Sequence, residues 1–441
     1  MPGTLGTTPD RLVVTPLDAG ADLLALSADP RLVRPAVVTV DGWRLLVADP
    51  VARLESLAAL DAYGAAAGWR AKRPDGPPFA GAAVGYLSDD LSPALLQLSP
   101  DNRPPVAPAP AVDFAVYDWC IAVDPDGRGH VVADRNKTSG LRAWAATAAT
   151  GAGGAGATRG TPAAGCLARL GLDRHAHAAA VGQILGWIAA GDLYQANLTL
   201  QISVAWQHTP QELAARLWAA TPGAAHAAMI VLDDTTAVVS ASPETFLRTE
   251  RDWVATRPIK GTRPRNADAR RDQAHADALR GSAKDHAEHV MIVDLERNDL
   301  GRVCDPGTVR VAEYAVLERH PTVWHLTSTV RGRLRDGVGV GELIAATFPP
   351  GSVTGTPKRM AVARTALLEP VRRGVYCGAI GIVGPGMLDL SVAIRTAVIA
   401  GGTASYGAGG GIVADSDPDE EFVEAMDKAA AFFTATGATR P

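Results

Sequence analysis

The chain has 441 residues, 47% hydrophobic and 20% charged, enough apolar material for a large core and, by length alone, for two or three domains. Its net charge is −5, with 42 basic residues dispersed among 47 acids, so no positive field invites nucleic acid. Four cysteines, at 120, 166, 304 and 377, lack CxxC spacing, which argues against a disulfide framework or a zinc site and for a reducing compartment. The opening MPGTLGTTPDRLVV has no basic-then-apolar leader, and no 18 consecutive apolar residues occur. The expectation is a cytoplasmic protein with no membrane partner.

Residues 1–144 alternate short apolar runs (RLVV, AVVTV, WRLLVADP, AAVGYL, FAVYDWCIAVD) with Pro, Gly and Asp breaks. This predicts a strand-rich N-terminal region with some helix. The proline-rich stretches at 73–78 and 102–111 read as extended connections. Positions 145–165, AATAATGAGGAGATRGTPAAG, hold almost nothing to bury and predict a flexible link or surface loop. The third segment, 166–441, changes texture. A helix is expected around 174–190, closing on Gly191, followed by strands around 194–203, 226–233 and 236–241. Ser282 stands three residues before Asp285, a capping-box-like start for KDHAEHVMIVDLER. Ser416-Asp417-Pro418 similarly opens a helix over DEEFVEAMDKAAAFF. No fixed repeat is visible, and the mixed order of strands and helices argues for α+β rather than a doubly wound sheet.

Two of these helices carry acids at i and i+3: Asp285 with Glu288, and Glu421 with Glu424. Each pair shares a helix face. Four carboxylates facing a cleft suit Mg²⁺, which takes oxygen ligands and keeps several waters. The spacing also fits two solvated helix faces, since acids belong in first turns. Between the helices lie GVYCGAIG (374–381), AIRTAV (393–398) and GAGGG (407–411). Glycines permit close backbone approach, bare N–H groups can cradle an anion, and Arg395 can clamp a carboxylate. Tight turns in a sheet would look the same. GAGGG is not a dinucleotide fingerprint, and GSVTGTPK (351–358) is not a phosphate-binding P-loop.

Seven segments in order resemble the chorismate-utilising enzymes, the family of the anthranilate synthase and aminodeoxychorismate synthase large subunits, isochorismate synthase and salicylate synthase. They are GDLYQANLT (191–199), SPETFL (242–247), RPIKGTRPR (257–265), KDHAEHVMIVDLERNDLGRV (284–303), HPTVWHLTSTVRG (320–332), FPPGSVTGTPK (348–358) and GAGGGIVADSDPDEEF (407–422). The resemblance implies an anthranilate synthase component I-like fold, a large β-sandwich with helices packed outside and the active site in its cleft. It implies that Glu288 and Glu424 bind Mg²⁺ directly, with Asp285 and Glu421 helping through water. Lys428 would assist with the ring carboxylate of chorismate. Tyr376, Arg395 and the N–H groups near Gly409 and Gly411 would hold the enolpyruvyl carboxylate, and Thr262, His325 and Thr354 would line the substrate site.

The resemblance also implies a branch. Glu244 occupies the general-acid position, protonating the 4-hydroxyl of chorismate as it leaves. Water-adding members carry a lysine base where this chain has Gln195, which cannot take a proton. Lys260 in PIKGT matches the aminodeoxychorismate branch, whereas anthranilate synthases are expected to carry alanine there. Its amine would attack ring C2 and give way to ammonia at C4, on the route to p-aminobenzoate and folate. Such a lysine must be neutral, and burial with Arg257 and Arg263 nearby is expected to promote that. Asn266 replaces the family's glycine after PIKGTRPR. Cys166 lacks the surroundings of a glutamine-hydrolysing nucleophile, so ammonia is expected from a separate glutamine amidotransferase subunit and a separate lyase is expected downstream. The competing readings are an anthranilate synthase large subunit and a catalytically silent regulatory or binding subunit.

Overall fold

The computed structural model describes residues 12–17, 20–73, 75–151 and 167–441. The N-terminal apolar runs show little polar alternation because both faces of their strands are covered. Along Ala36–Val40, residues 36, 38 and 40 enter one apolar cluster and Val37 another. Along Trp43–Val47, Leu45 and Val47 face one side and Leu46 the other. Ala82–Leu87 splits likewise, with Ala82, Val84 and Tyr86 opposed to Ala83 and Leu87. This is the period-2 geometry of a strand, with apolar partners on both sides.

The strands pair into a twelve-stranded and a ten-stranded antiparallel sheet. The shared cluster between them draws on both: Val38, Leu45 and Ile230 from the first, Val84, Ile380 and Ile382 from the second. Helices cover the outer faces. Pro210–Ala220 and Pro418–Lys428 pack on the larger sheet through Leu213, Leu217, Phe422 and Met426. Leu57–Ala67, Ala283–Gly301 and Val340–Thr347 pack on the smaller through Leu60, Tyr63, Val293 and Leu343. The result is the expected α+β sandwich with external helices. Among the described residues no helix is long and apolar enough to cross a membrane.

N-terminal strands belong to both sheets. Val38 stands opposite Ala228, and Val84 opposite Ile382, so the first region and the third are woven together through main-chain hydrogen bonds. The Ala/Gly-rich stretch at 145–165 begins inside a helix, Arg135–Gly151, because its alanines can extend the turns started by more polar residues. Its remainder, with Cys166, lies outside the described residues.

The helix starts follow the caps. The Ser282 hydroxyl accepts from Asp285 N at 3.2 Å, opening the first acidic helix, Ala283–Gly301. Asp417 accepts from Asp419 N and Glu420 N, opening the second acidic helix, Pro418–Lys428, with proline in its first turn. Helix Arg174–Ala189 is capped by Asp173 and released at Gly191, whose φ is +82°.

Candidate active site

Strand ends from both sheets and the two acidic helices converge on one cavity of about 960 Å³. Of the fourteen residues singled out from the sequence, thirteen line it. The exception is Thr354. It is buried behind the wall, its hydroxyl donating to Pro350 O at 2.6 Å and its carbonyl accepting from Asn197 N at 2.8 Å. Ser352 and Val353 face the cavity instead.

Lys260 owes its position to a bulge. Strand Ile259–Pro264 pairs with Val323–Arg333, but the register shifts between Ile259 and Thr262, which re-aims the intervening side chain. The bulge needs glycine at 261: its φ is +80°, and a Cβ there would approach Leu279 Cδ1 to 2.6 Å and the Asp285 carboxylate to 3.2 Å. Lys260 Nζ donates to Ser352 O at 3.2 Å. Burial pushes its amine below the ordinary lysine range, and Lys428 adds like-charge repulsion, against the opposing pull of Glu288, Glu244 and Glu424. Arg257 and Arg263 do not act as expected. Each is engaged by a carboxylate, Arg257 by Glu318 and Arg263 by Asp285 at 2.8 Å, so their charges are largely neutralised locally.

Glu244 follows the strand Thr236–Ser242 at the junction of the two sheets. Its N–H donates to Ser242 Oγ at 3.2 Å, Ser242 Oγ donates to Val392 O at 2.6 Å, and Val392 N donates back to Glu244 O at 3.0 Å. The carboxyl is 4% exposed and Oε1 has no partner among the described residues. Burial raises its pKa to about 7, with Ser352 and Lys260 partly opposing. A carboxyl so placed is an acid near neutral pH.

The acidic helices present their pairs to the same space. Burial raises Glu288, and Glu424 and Asp285 push it further, while Lys260 and Lys284 oppose. Glu424 is instead held below its ordinary value by Lys428, whose Nζ lies 2.7 Å from Oε1 and also donates to Gly409 O at 2.9 Å. Glu421 Oε1 accepts from Ser416 Oγ at 2.6 Å. Among the described residues no three acidic or histidine groups close on one point as a metal cage. Mg²⁺ does not require one, because one or two carboxylates suffice when waters and a substrate oxyanion complete the octahedron. Glu288 and Glu424, facing one cavity from two helices, with Glu424 among the charges that raise the proton affinity of Glu288, fit that open donor set.

The opposite wall suits an anion. Arg395 lines the cavity and forms no ion pair with another described residue. Strand Thr403–Ile412 pairs with Thr396–Ala400 only as far as Tyr406, so beyond that point one edge of its backbone is open. The Gly409 carbonyl on that edge is taken by Lys428, and Gly411, two residues on, shares the orientation. Tyr376 lies flat against Gly407, where a Cβ would come within 2.1 Å of the ring. His325 Nδ1 and Thr262 Oγ1 are 2.9 Å apart as cross-strand partners. Burial and Arg395 push His325 down to about 3, so the imidazole is neutral.

The arrangement is an amine beside a carboxylic acid, a carboxylate pair for a cation, and an anion-binding wall. That is the signature of an enzyme acting on a small polyanion. The family model of chorismate binding enzymes matches residues 40–434, so the chain belongs to that family and is a chorismate-utilising enzyme. It is 36% identical over 353 residues to aminodeoxychorismate synthase component 1 of Salmonella typhimurium, covering 80% of this chain and 76% of that one. It is 37% identical over 413 residues to anthranilate synthase component 1 of Thermus thermophilus, covering 91% and 86%. The solved structure of anthranilate synthase component I from Streptococcus pneumoniae superposes with a TM-score of 0.74 at 25% identity, over 96% of this chain and 92% of that one.

Sequence reasoning passed over Asn197, Ser352 and Gly407, all of which line the cavity. All three lie within segments already singled out, GDLYQANLT, FPPGSVTGTPK and GAGGG, and their inward direction was the missing information.

Proposed function

We propose that the chain is the chorismate-binding subunit of an aminodeoxychorismate synthase, replacing the 4-hydroxyl of chorismate with ammonia to give 4-amino-4-deoxychorismate. The observation that carries this reading is the pairing of Lys260 and Glu244 on one cavity wall, the amine pushed down and the carboxyl pushed up to about 7. The shifts run the way this chemistry needs, favouring a less charged amine beside a protonated acid. Lys260 Nζ forms a bond to ring C2 while the C4–O bond breaks, and Glu244 gives its proton to the oxygen, which leaves as water. Ammonia then bonds to C4 and the electrons return to release Lys260 as a neutral amine. The Glu244 carboxylate takes a proton from the new ammonium group, which restores the acid.

Arg395 and the open amide edge at Gly409 and Gly411 would hold the enolpyruvyl carboxylate, with Tyr376 packed beneath and His325 and Thr262 against the ring. Mg²⁺ between Glu288 and Glu424 would supply positive charge for the ring carboxylate, with Asp285, Glu421 and Lys428 around it. Ammonia would come from a separate glutamine amidotransferase subunit. A reducing cytosol suits the free thiols of Cys120, Cys304 and Cys377.

The second reading, an anthranilate synthase large subunit, is favoured by the comparable similarity to those enzymes and opposed by Lys260. Purified protein with chorismate, Mg²⁺ and ammonium separates the two by product mass. Without ammonia, wild type should carry the dehydrated ring on the peptide containing PIKGT, and Lys260→Ala should not. Anthranilate with released pyruvate would overturn the proposal.

A further inference from the structure

Behind the cavity wall lies a buried ion pair that takes no part in the steps above. Arg373 and Glu369 are 6% and 4% exposed, and neither lines the cavity. Arg373 Nε donates to Glu369 Oε2 at 3.0 Å, and Nη2 donates to Oε1 at 2.8 Å. Glu369 Oε1 also accepts from the N–H and the hydroxyl of Thr199, on strand Gln195–Ala205. Such a pair adds little net stability, because the cost of taking two charges out of water offsets their attraction. What sets this one apart is where the remaining guanidinium donors go. Nη2 donates to Asn197 O at 2.7 Å and Nη1 to Val353 O at 3.2 Å. Asn197 and Val353 both line the cavity, one from the strand and the other from the turn Gly351–Val353. The planar fork of arginine spans two such acceptors in a fixed geometry. The Asn197 N–H joins the same two segments again by donating to Thr354 O at 2.8 Å.

The turn presents Ser352 O, which takes the one hydrogen bond that Lys260 Nζ makes among the described residues, at 3.2 Å. A neutral amine has two N–H groups and one lone pair, so the place of that carbonyl limits where the lone pair can point. We propose that Arg373 is a positioning residue: it fastens the turn to the strand, and the turn's carbonyl aims the Lys260 lone pair at ring C2. The inference rests on the amination reading above.

The test is the rate at which Lys260 gains the dehydrated ring, measured without ammonia against chorismate concentration, with Mg²⁺ saturating. Arg373→Lys keeps the charge and loses the fork. Its rate at saturating chorismate should fall roughly 10–100-fold, the cost of a small misplacement of a reacting group, with half-saturating chorismate unchanged. Arg103→Gln is the control for stability. Arg103 Nη1 donates to the Glu369 and Val371 carbonyls and Nη2 to Asp101, none of them in the cavity wall. That variant should melt at a lower temperature yet form adduct at the wild-type rate. Should Arg373→Lys fail to fold, Arg373→Met combined with Glu369→Gln removes both charges together, and the glutamine oxygen still accepts from Thr199. The paired variant should show the same loss of rate. A wild-type adduct rate in Arg373→Lys or in the paired variant would overturn the proposal. Equal losses in Arg373→Lys and Arg103→Gln would do the same, as would a rise in half-saturating chorismate that accounts for the whole loss. Wild-type protein that gains no ring on Lys260 would instead remove the covalent amination reading, and the aiming role with it.

Discussion

The two ends of the sandwich are built from the same antiparallel ladders and put to opposite uses. At the N-terminal end, Leu45, Val47 and Ala82 are fully enclosed where the apolar faces of both sheets meet, and the buried Asp113 carboxylate there is paired with Arg34. At the cavity end the ladders carry a bulge at 259–262, left-handed backbone at Gly261 and Arg395, and buried polar atoms without partners at Gln195, Asn197 and Glu244. The first end stores stability; the second holds polar groups in costly surroundings, which is what gives them altered proton affinity. In such a molecule, substitutions at one end should move stability and at the other should move rate.

The largest effect should come from Glu244→Gln, which removes the acid and keeps the shape. Turnover should fall by roughly 10²–10⁴-fold, the usual worth of a positioned acid. Stability should move the other way. The folded carboxyl titrates at about 7 against an ordinary 4.5, so the unfolded chain releases its proton first, and wild-type stability declines as pH rises from about 4.5 to 7. Glutamine escapes that decline, and the variant should gain up to roughly 3 kcal/mol above pH 7 and little at pH 5. Melting curves at pH 5 and pH 8 check this, and an equal difference at both would contradict it. In wild type, the rate at constant free ammonia should fall as pH rises through about 7.

Leu45→Ala at the opposite end should cost about 2–5 kcal/mol by urea unfolding while the folded protein keeps its chorismate KM. A KM that rose in step with the lost stability would show that the two ends are coupled.

The acidic helices sharpen the comparison within the cavity, since Glu288 is pushed up by burial and Glu424 held down by Lys428. Either residue changed to Gln should raise the Mg²⁺ needed for half-maximal rate by about tenfold or more, with normal melting. Glu424→Gln alone should also free Lys428 from its partner. Mg²⁺ titrations of rate, with unchanged curves in either variant, would remove that residue from the metal site.

The smallest effect expected is that of Gly407→Ala. The added methyl must displace the Tyr376 ring, and chorismate KM should rise about tenfold, matching the loss of one aromatic contact of ~1.4 kcal/mol, while melting falls by the roughly 1–3 kcal/mol of an overpacked site.

Local signals in the chain determined a good deal by themselves. Short apolar runs announced strands, Ser282 and Asp417 announced where the acidic helices begin, and the i, i+3 spacing put each acidic pair on one face. These features depend on residues within a turn or two of one another, so a linear reading reaches them. Tertiary structure decided what those residues meet. Only packing shows that Lys428, rather than Arg257 or Arg263, is the cation that disfavours a charged Lys260, because the two arginines are claimed by Glu318 and Asp285. Only packing turns Thr354 away from the cavity and brings Ser352 to Lys260 across 92 positions of sequence. Only packing sets the Gln195 amide over Gly411. Proton affinity and hydrogen-bond satisfaction depend on burial and on partners distant in sequence, and both come into being when the sheets and helices close around the cavity.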